Sequence, residues 1–345
     1  MRTFIGKMLD DVGAAMGASL MLIGDKLGLY KALAQGGPVS PAELAAKTGT
    51  AERYIREWLA AQAASGYVDY DPATQKFSMG PEQAAVLADE DGPVFMGAVG
   101  QLVAANVRDE PKVTEAFKTG KGIGWDQRDG CLFCGTARFF RTSYSHHLVQ
   151  KWLPALEGVV AKLDNGAKVA DVGCGHGIST VLMAKAYPKS TFYGYDYHGP
   201  SIEAARGKAA EAGVGGRVHF DVASAKNFPA RGYDLVCFFD CLHDMGDPLG
   251  ALRHVRETIA PDGTVLLVEP FANDKLEDNL NPVGRIFYAA STMVCTPASL
   301  AQEVGAALGA QAGEARLRKI ANDAGFTRFR RAAQTAFNLI LEARP

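Results

Sequence analysis

Nothing in this chain of 345 residues approaches the run of roughly 20 apolar residues that crosses a bilayer, so no membrane partner is expected. The apolar stretch from 12 to 24 is flanked by Asp10 and Asp11 before it and Asp25-Lys26 after it. Those flanks are wrong for an export signal. Val12, Met16, Leu20, Ile23, Leu27 and Tyr30 recur at helical spacing and predict one amphipathic helix. Cysteine is sparse, with six thiols scattered through a chain too large to need disulfides, which points to a reducing, cytoplasmic setting. Cys131 and Cys134 have the spacing of half a zinc site, but no second pair and no nearby His-x-x-x-His completes it. No metal is expected. An excess of one charge is also missing. The 36 Lys and Arg against 38 Asp and Glu leave a formal −2, which gives no general reason to expect nucleic acid or another polyanion.

What is present is ordinary globular material, 48% hydrophobic and 21% charged, enough for two domains. The pattern divides into residues 1–90, a connector over 91–150 and a third part over 151–345. Ser40-Pro41-Ala42-Glu43 reads as a capped helix start, with Ser40 capping and Glu43 reaching back. A second helix from Ala51 to Ser65 carries Tyr54, Ile55, Trp58 and Leu59 on one face. Residues 67–70 and 76–79 flank Asp71-Pro72 as a short hairpin, completing a winged helix. Residues 1–100 hold eight Lys/Arg against twelve Asp/Glu, a net of −4, whereas DNA binding wants a basic face. The aromatic, alanine-rich second helix suits packing against another chain, so a homodimerisation module is expected and no nucleic acid. The rival reading is a winged-helix transcriptional regulator that uses its second domain as a sensor.

From about residue 165 strands and helices alternate, the signature of a parallel sheet in an α/β domain. Strands are expected at 168–172, 191–195, 218–221, 234–238 and 264–268. Helices are expected at 178–186, 201–212, weakly near 224, and 247–259. A closing pair of strands falls at 326–330 and 337–342. Asp171-Val-Gly173-Cys-Gly175-His-Gly177 joins the first strand to its helix. Glycines there permit a sharp turn and a close ligand, and the helix start offers free N–H groups. A dinucleotide fingerprint would place its third glycine at 178, where the chain has Ile178. Asp196 ends the next strand, where an acid can accept both hydroxyls of a ribose.

With these motifs, the segments 220–225, 234–248, 261–270 and 337–345 make the chain resemble class I S-adenosylmethionine-dependent methyltransferases. Together with the winged helix, it is similar to bacterial small-molecule methyltransferases related to the plant-type O-methyltransferases. The resemblance implies a Rossmann-like, seven-stranded α/β sheet, S-adenosyl-L-methionine as cofactor and a small-molecule acceptor. It implies cofactor contacts at Asp171, at Gly173, Gly175 and Gly177 along the methionine half, and at Asp196 on the ribose. Tyr197, Ser224, Ala225 and Phe239 would surround the adenine, with plain core packing the other reading of Phe239. His243, in Leu242-His243-Asp244, matches the general base of the plant-type enzymes, and a purely positioning role for it stays open. Met245-Gly246-Asp247 follows where that family has Trp-Ser-Asp. Glu269, at the end of the fifth strand, is a candidate acidic partner by position alone.

Overall fold

The computed structural model describes residues 2–345. Its contacts divide into two compact units, residues 1–108 with 129–143, and residues 109–128 with 144–345.

The first unit is helical. Where the apolar spacing predicts one helix through Tyr30, the chain forms Arg2–Lys26 and then Leu29–Gly36. The break sits at Gly28, whose φ of 67° is a left-handed conformation that glycine adopts without steric penalty. Helix Pro41–Thr48 starts with the full capping box, the Glu43 amide donating to Ser40 Oγ and the Ser40 amide to the Glu43 carboxylate. Helix Glu52–Ala64 buries Ile55, Trp58 and Leu59 in the unit's own core. Trp58 donates its indole N–H to the Leu20 carbonyl and its ring lies 5.1 Å from Tyr30. The face read as suited to another chain is therefore used internally, except for exposed Tyr54. The exposed apolar residues lie instead along helix Arg2–Lys26: Phe4, Ile5, Met8, Leu9, Val12 and Met16. The hairpin forms as β1 (Asp69–Asp71) and β2 (Lys76–Ser78).

The second unit is built on one seven-stranded sheet: β3 (Lys168–Val172), β4 (Thr191–Asp196), β5 (Val218–Val222), β6 (Tyr233–Phe239), β7 (Ile259–Pro270), β8 (Arg328–Gln334) and β9 (Asn338–Arg344). Its order is β5-β4-β3-β6-β7-β9-β8. The first five strands run parallel, while β9 is antiparallel to both β7 and β8. Strand order reverses at β3, whose neighbours are β4 on one side and β6 on the other. In open α/β sheets such a switch point leaves a crevice at the carboxyl ends of the strands, where ligands sit. The central strands are buried on both faces, which is why Tyr233–Phe239 and the end of β7 read as nearly unbroken apolar runs. The weak helix expected near 224 is a turn. Asn227 Oδ1 accepts the Ser224 amide and Ser224 Oγ the Lys226 amide, so side chains satisfy the backbone locally in place of a helix.

Candidate active site

The loop between β3 and helix Ile178–Ala186 has three left-handed glycines, with φ of 74° at Gly173, 51° at Gly175 and 70° at Gly177. All three need glycine for the backbone, but their surroundings differ. A Cβ on Gly173 would come 2.8 Å from Cys241 Sγ, and one on Gly177 would come 2.5 Å from the Phe220 ring. One on Gly175 meets nothing within 4 Å. Gly173 thus seats the loop against the segment after β6 and Gly177 seats it against β5. Gly175 is the open side of the turn.

Asp196 closes the loop from β4. Its Oδ2 accepts the Gly175 amide at 2.9 Å and its Oδ1 the His198 amide at 2.9 Å. Each carboxylate oxygen keeps a further lone pair. Asp171 is fully buried beneath the loop, its Oδ2 accepting from Ser179 Oγ at 2.7 Å and Thr180 Oγ1 at 2.6 Å. Its Oδ1 has no hydrogen-bond partner. Tyr197 follows Asp196 and is about half exposed, while Ser224 lies in the turn after β5 and Ala225 packs at the edge of the main core. Phe239, at the end of β6, is buried with its ring 5.4 Å from Tyr144.

His243 lies on the single turn Leu242–Asp244 that follows β6. Its Nδ1 is 2.6 Å from Glu269 Oε2, and Glu269 Oε1 accepts the Leu242 amide at 3.0 Å. Both side chains are at most 5% exposed. Asp244, the sequence neighbour, does not pair with the ring. It accepts the Trp125 indole N–H at 3.2 Å. The turn is held from the other side by Ser299, which donates to the Met245 carbonyl, and by Gln302, which bonds the Asp244 carbonyl and the Gly246 amide. Cys241, two residues before His243, bonds the Val172 carbonyl and touches the glycine loop. The His243 turn is therefore anchored directly to that loop.

The site is rich in buried acid. Burial raises Asp171 to about 6, Asp244 to about 7 and Asp240 to about 8. For Asp240 the neighbouring Glu269 adds to the rise, while Tyr144, His243 and Asn338 oppose it. Asp240 Oδ2 accepts from the Tyr144 hydroxyl at 2.9 Å and Oδ1 from Asn338 Nδ2 at 2.8 Å. Burial works against the charged His243 ring, but the negative charge of Glu269 at its Nδ1, with a contribution from Cys295, outweighs it and raises His243 well above its ordinary value. Once ionised, such a concentration of carboxyls creates a negative potential suited to a cationic ligand.

Residues 163–325 match the family profile described as a methyltransferase domain, and residues 15–89 match that of the Rv2258c-like winged HTH domain. The chain carries a methyltransferase domain behind an N-terminal winged helix. A ubiquinone biosynthesis O-methyltransferase of Leptothrix cholodnii is 33% identical over 115 residues, which is 32% of this chain and 47% of that protein. The chain spans less than half the length of the curated relatives it matches. Among solved structures, an O-methyltransferase family protein of Burkholderia thailandensis superposes with a TM-score of 0.72 at 18% identity, covering 99% of this chain and 98% of its own. Human N-acetylserotonin methyltransferase in complex with SAM gives 0.73 at 16% identity, covering 99% and 97%. These likenesses establish the fold.

Within the methyltransferase domain, the motif residues that sequence reasoning singles out converge on one end of the sheet, although they span residues 171–269. Glu269, selected only by position, is the residue on the His243 ring. Asp240, Cys295 and the buried Arg128 are absent from the sequence-level candidates. Asp240 carries a weak signal, as a charged residue directly after an apolar strand. Cys295 and Arg128 carry none; the Val294 carbonyl that Arg128 donates to lies 166 residues away in the chain.

Proposed function

We propose that this protein transfers a methyl group from S-adenosyl-L-methionine to an oxygen or nitrogen of a small-molecule acceptor, with His243 as the general base. The observation that carries the reading is the buried Nδ1–Oε2 contact of His243 with Glu269 on a turn packed against the open glycine loop. The cofactor supplies an activated methyl on a sulfonium, whose leaving group departs neutral. The chain's own residues then have to orient the acceptor and take its proton. Glu269 holds the Nδ1 side of the imidazole, leaving Nε2 for the acceptor, and its negative charge stabilises the ring once it has gained the proton.

The cofactor residues fit the chemistry of that molecule. The space at Gly175 admits the ligand against bare backbone. The unpaired Asp171 Oδ1 is an acceptor available to an ammonium group or to a water bound to it. Asp196 retains the lone pairs to receive two ribose hydroxyls, and the buried carboxyls suit a sulfonium. Tyr197, Ser224, Ala225 and Phe239 are assigned to the adenine end in this reading. We assign residues 1–90 to a homodimerisation domain, joined by 91–150 to the catalytic part over 151–345. The exposed apolar stripe on helix Arg2–Lys26 supports that assembly. Against a regulator stand the net acidity of the first hundred residues and the pairing of both arginines on helix Glu52–Ala64, Arg53 with Glu57 and Arg56 with Glu52. Paired arginines on an acidic surface are poorly placed to neutralise phosphates.

Calorimetric titration with S-adenosylmethionine and S-adenosylhomocysteine, alongside Asp196→Ala, tests the reading. Micromolar binding of both ligands, weakened at least tenfold in the variant, is the expected result. Absence of binding by the wild-type protein overturns it.

A further inference from the structure

The turn that carries His243 does little to hold itself. It is a single turn, Leu242–Asp244, and its own backbone bonds are long, from the Asp244 amide to the Cys241 carbonyl at 3.3 Å and from Met245 to Leu242 at 3.4 Å. An isolated turn is marginal, because fixing its dihedrals costs more entropy than one or two bonds return. Its carbonyls are taken up, one after another, by a single distant segment. The Gly309 amide donates to the His243 carbonyl at 3.2 Å and the Ala306 amide to that of Gly246 at 2.8 Å. Between them, Gln302 Nε2 donates to the Asp244 carbonyl at 3.0 Å and Ser299 Oγ to that of Met245 at 2.8 Å. Gln302 closes the contact in both directions. Its Oε1 accepts the Gly246 amide at 3.1 Å, and its Nε2 also reaches the Ala298 carbonyl at 3.0 Å.

Two independent features show how closely the segment is fitted to the turn. A Cβ on Gly246 would stand 2.5 Å from Gln302 Cβ, so only glycine lets the two backbones come this near. This is the position where the chain has glycine in place of the serine of the enzymes it resembles. In addition, Val304 and Ala307 hold left-handed φ of 75° and 46°. That conformation is costly for any residue but glycine, and most of all for a β-branched one. Val304 is 70% exposed, so burial of its side chain does not offset the cost. What the bend delivers is the Ala306 and Gly309 amides to the turn, and such strain persists where surrounding contacts over-determine it.

We propose that Gln302 is a positioning residue for His243, its side-chain amide acting through the backbone of residues 244–246 to hold the imidazole against Glu269. The inference rests on the methyl-transfer reading above and adds a residue to its machinery. Glu269 grips the turn at its start, through the Leu242 amide and the His243 ring. Gln302 grips it at its end, bonding the backbone and not the ring. With the first grip alone the turn frays from its far end, and the Nδ1 contact opens to water. With both, the ring has one place.

The test follows the Nδ1 proton of His243 in the full chain, by proton and nitrogen-15 spectra of histidine-labelled protein, with His243→Asn identifying the signal. In the wild type the contact with Glu269 shields this proton and it exchanges slowly with water. Gln302→Met keeps the length of the side chain and removes its hydrogen bonds. The Nδ1 proton then exchanges at least tenfold faster, while S-adenosylhomocysteine affinity stays within about threefold, since the glycine loop and Asp196 are untouched. Exchange at the wild-type rate in a folded Gln302→Met protein overturns the proposal, as does a wild-type proton with no protection. Loss of S-adenosylhomocysteine affinity in step with the faster exchange also overturns it, since that marks a general loosening of the domain. If Gln302→Met does not fold, Ser299→Ala, which removes the donor to the Met245 carbonyl, is read in the same way. Failure of S-adenosylhomocysteine to bind the wild type overturns the underlying methyl-transfer reading, whereas the proton exchange still decides the role of Gln302, so the two failures are distinguishable.

Discussion

Replacing Glu269 with Gln keeps the shape of the buried pair and removes its charge. Glu269 now serves two donors, the Leu242 amide at 3.0 Å and the His243 ring at 2.6 Å. A Gln side chain offers one oxygen and one NH2, so one of these donors must lose its acceptor. An unsatisfied buried donor costs about 1–3 kcal/mol. The ring avoids that by moving its proton from Nδ1 to Nε2, whereupon Nδ1 accepts from the Gln amide. That tautomer places a proton where the acceptor's proton has to go. General-base catalysis contributes about 10²–10⁴ in rate, so kcat falls by about that factor, equivalent to roughly 3–5 kcal/mol. Binding of S-adenosylhomocysteine is unchanged within about threefold, since the glycine loop and Asp196 are untouched. The pH dependence gives a second readout. In the wild type Glu269 and Cys295 hold His243 above its ordinary value despite burial, so kcat/KM rises as pH climbs through that raised value. Glu269→Gln moves this limb to lower pH. Because the raised value favours the folded state only while the ring is charged, the pair's stabilisation is complete below about pH 6.5. It fades as pH rises through the folded-state value, so the variant loses least stability at alkaline pH. Nitrogen-15 spectra of histidine-labelled protein read the tautomer without any acceptor, and rates follow with any acceptor that the wild type turns over. A Glu269→Gln protein with the wild-type tautomer and rates within threefold would refute the reasoning.

The three loop glycines should separate folding from binding. Gly175→Ala meets no atom and loses only the left-handed preference, about 1–2 kcal/mol, yet it places a methyl in the proposed ligand space and abolishes S-adenosylhomocysteine binding. Gly177→Ala drives into Phe220 and melts at a clearly lower temperature than Gly175→Ala; equal melting points would contradict the assignment of Gly175 as the open side. The ratio of S-adenosylmethionine to S-adenosylhomocysteine affinity should rise between pH 6 and 8. Over that interval Asp171, Asp244 and Asp240, raised by burial to about 6, 7 and 8, gain charge, and only the sulfonium responds strongly to it. The same three carboxyls bind protons more tightly in the folded chain than in the unfolded one, so the ligand-free protein loses stability as pH rises over this range. A flat affinity ratio in paired titrations would show that these acids do not face the cofactor's charge.

Much of the second unit was legible because its information is local. Strands β3 and β6 are largely apolar runs followed at once by a glycine and an acid, and Gly173, Gly175 and Gly177 stand where a backbone must turn with positive φ. The Ser40–Glu43 capping box is a pattern four residues long and forms as read. Other features depend on what a segment meets in space. Apolar spacing runs unbroken through Gly28, yet the chain breaks there, since periodicity does not encode the left-handed residue that turns it. Trp58 could face a partner or its own core, and only the packing of Leu20 and Tyr30 around it decides for the core. Asp244 stands next to His243 in the chain, but adjacency does not make it the ring's partner, and it accepts from the Trp125 indole instead. Glu269, 26 residues on, is brought to the ring by the parallel pairing of β6 with β7. Local pattern was thus sufficient for the sheet and the glycine loop, whereas the identity of the group on each face of His243 was settled by strands and turns far apart in the chain, because a buried side chain's partner is chosen by tertiary packing and not by sequence distance.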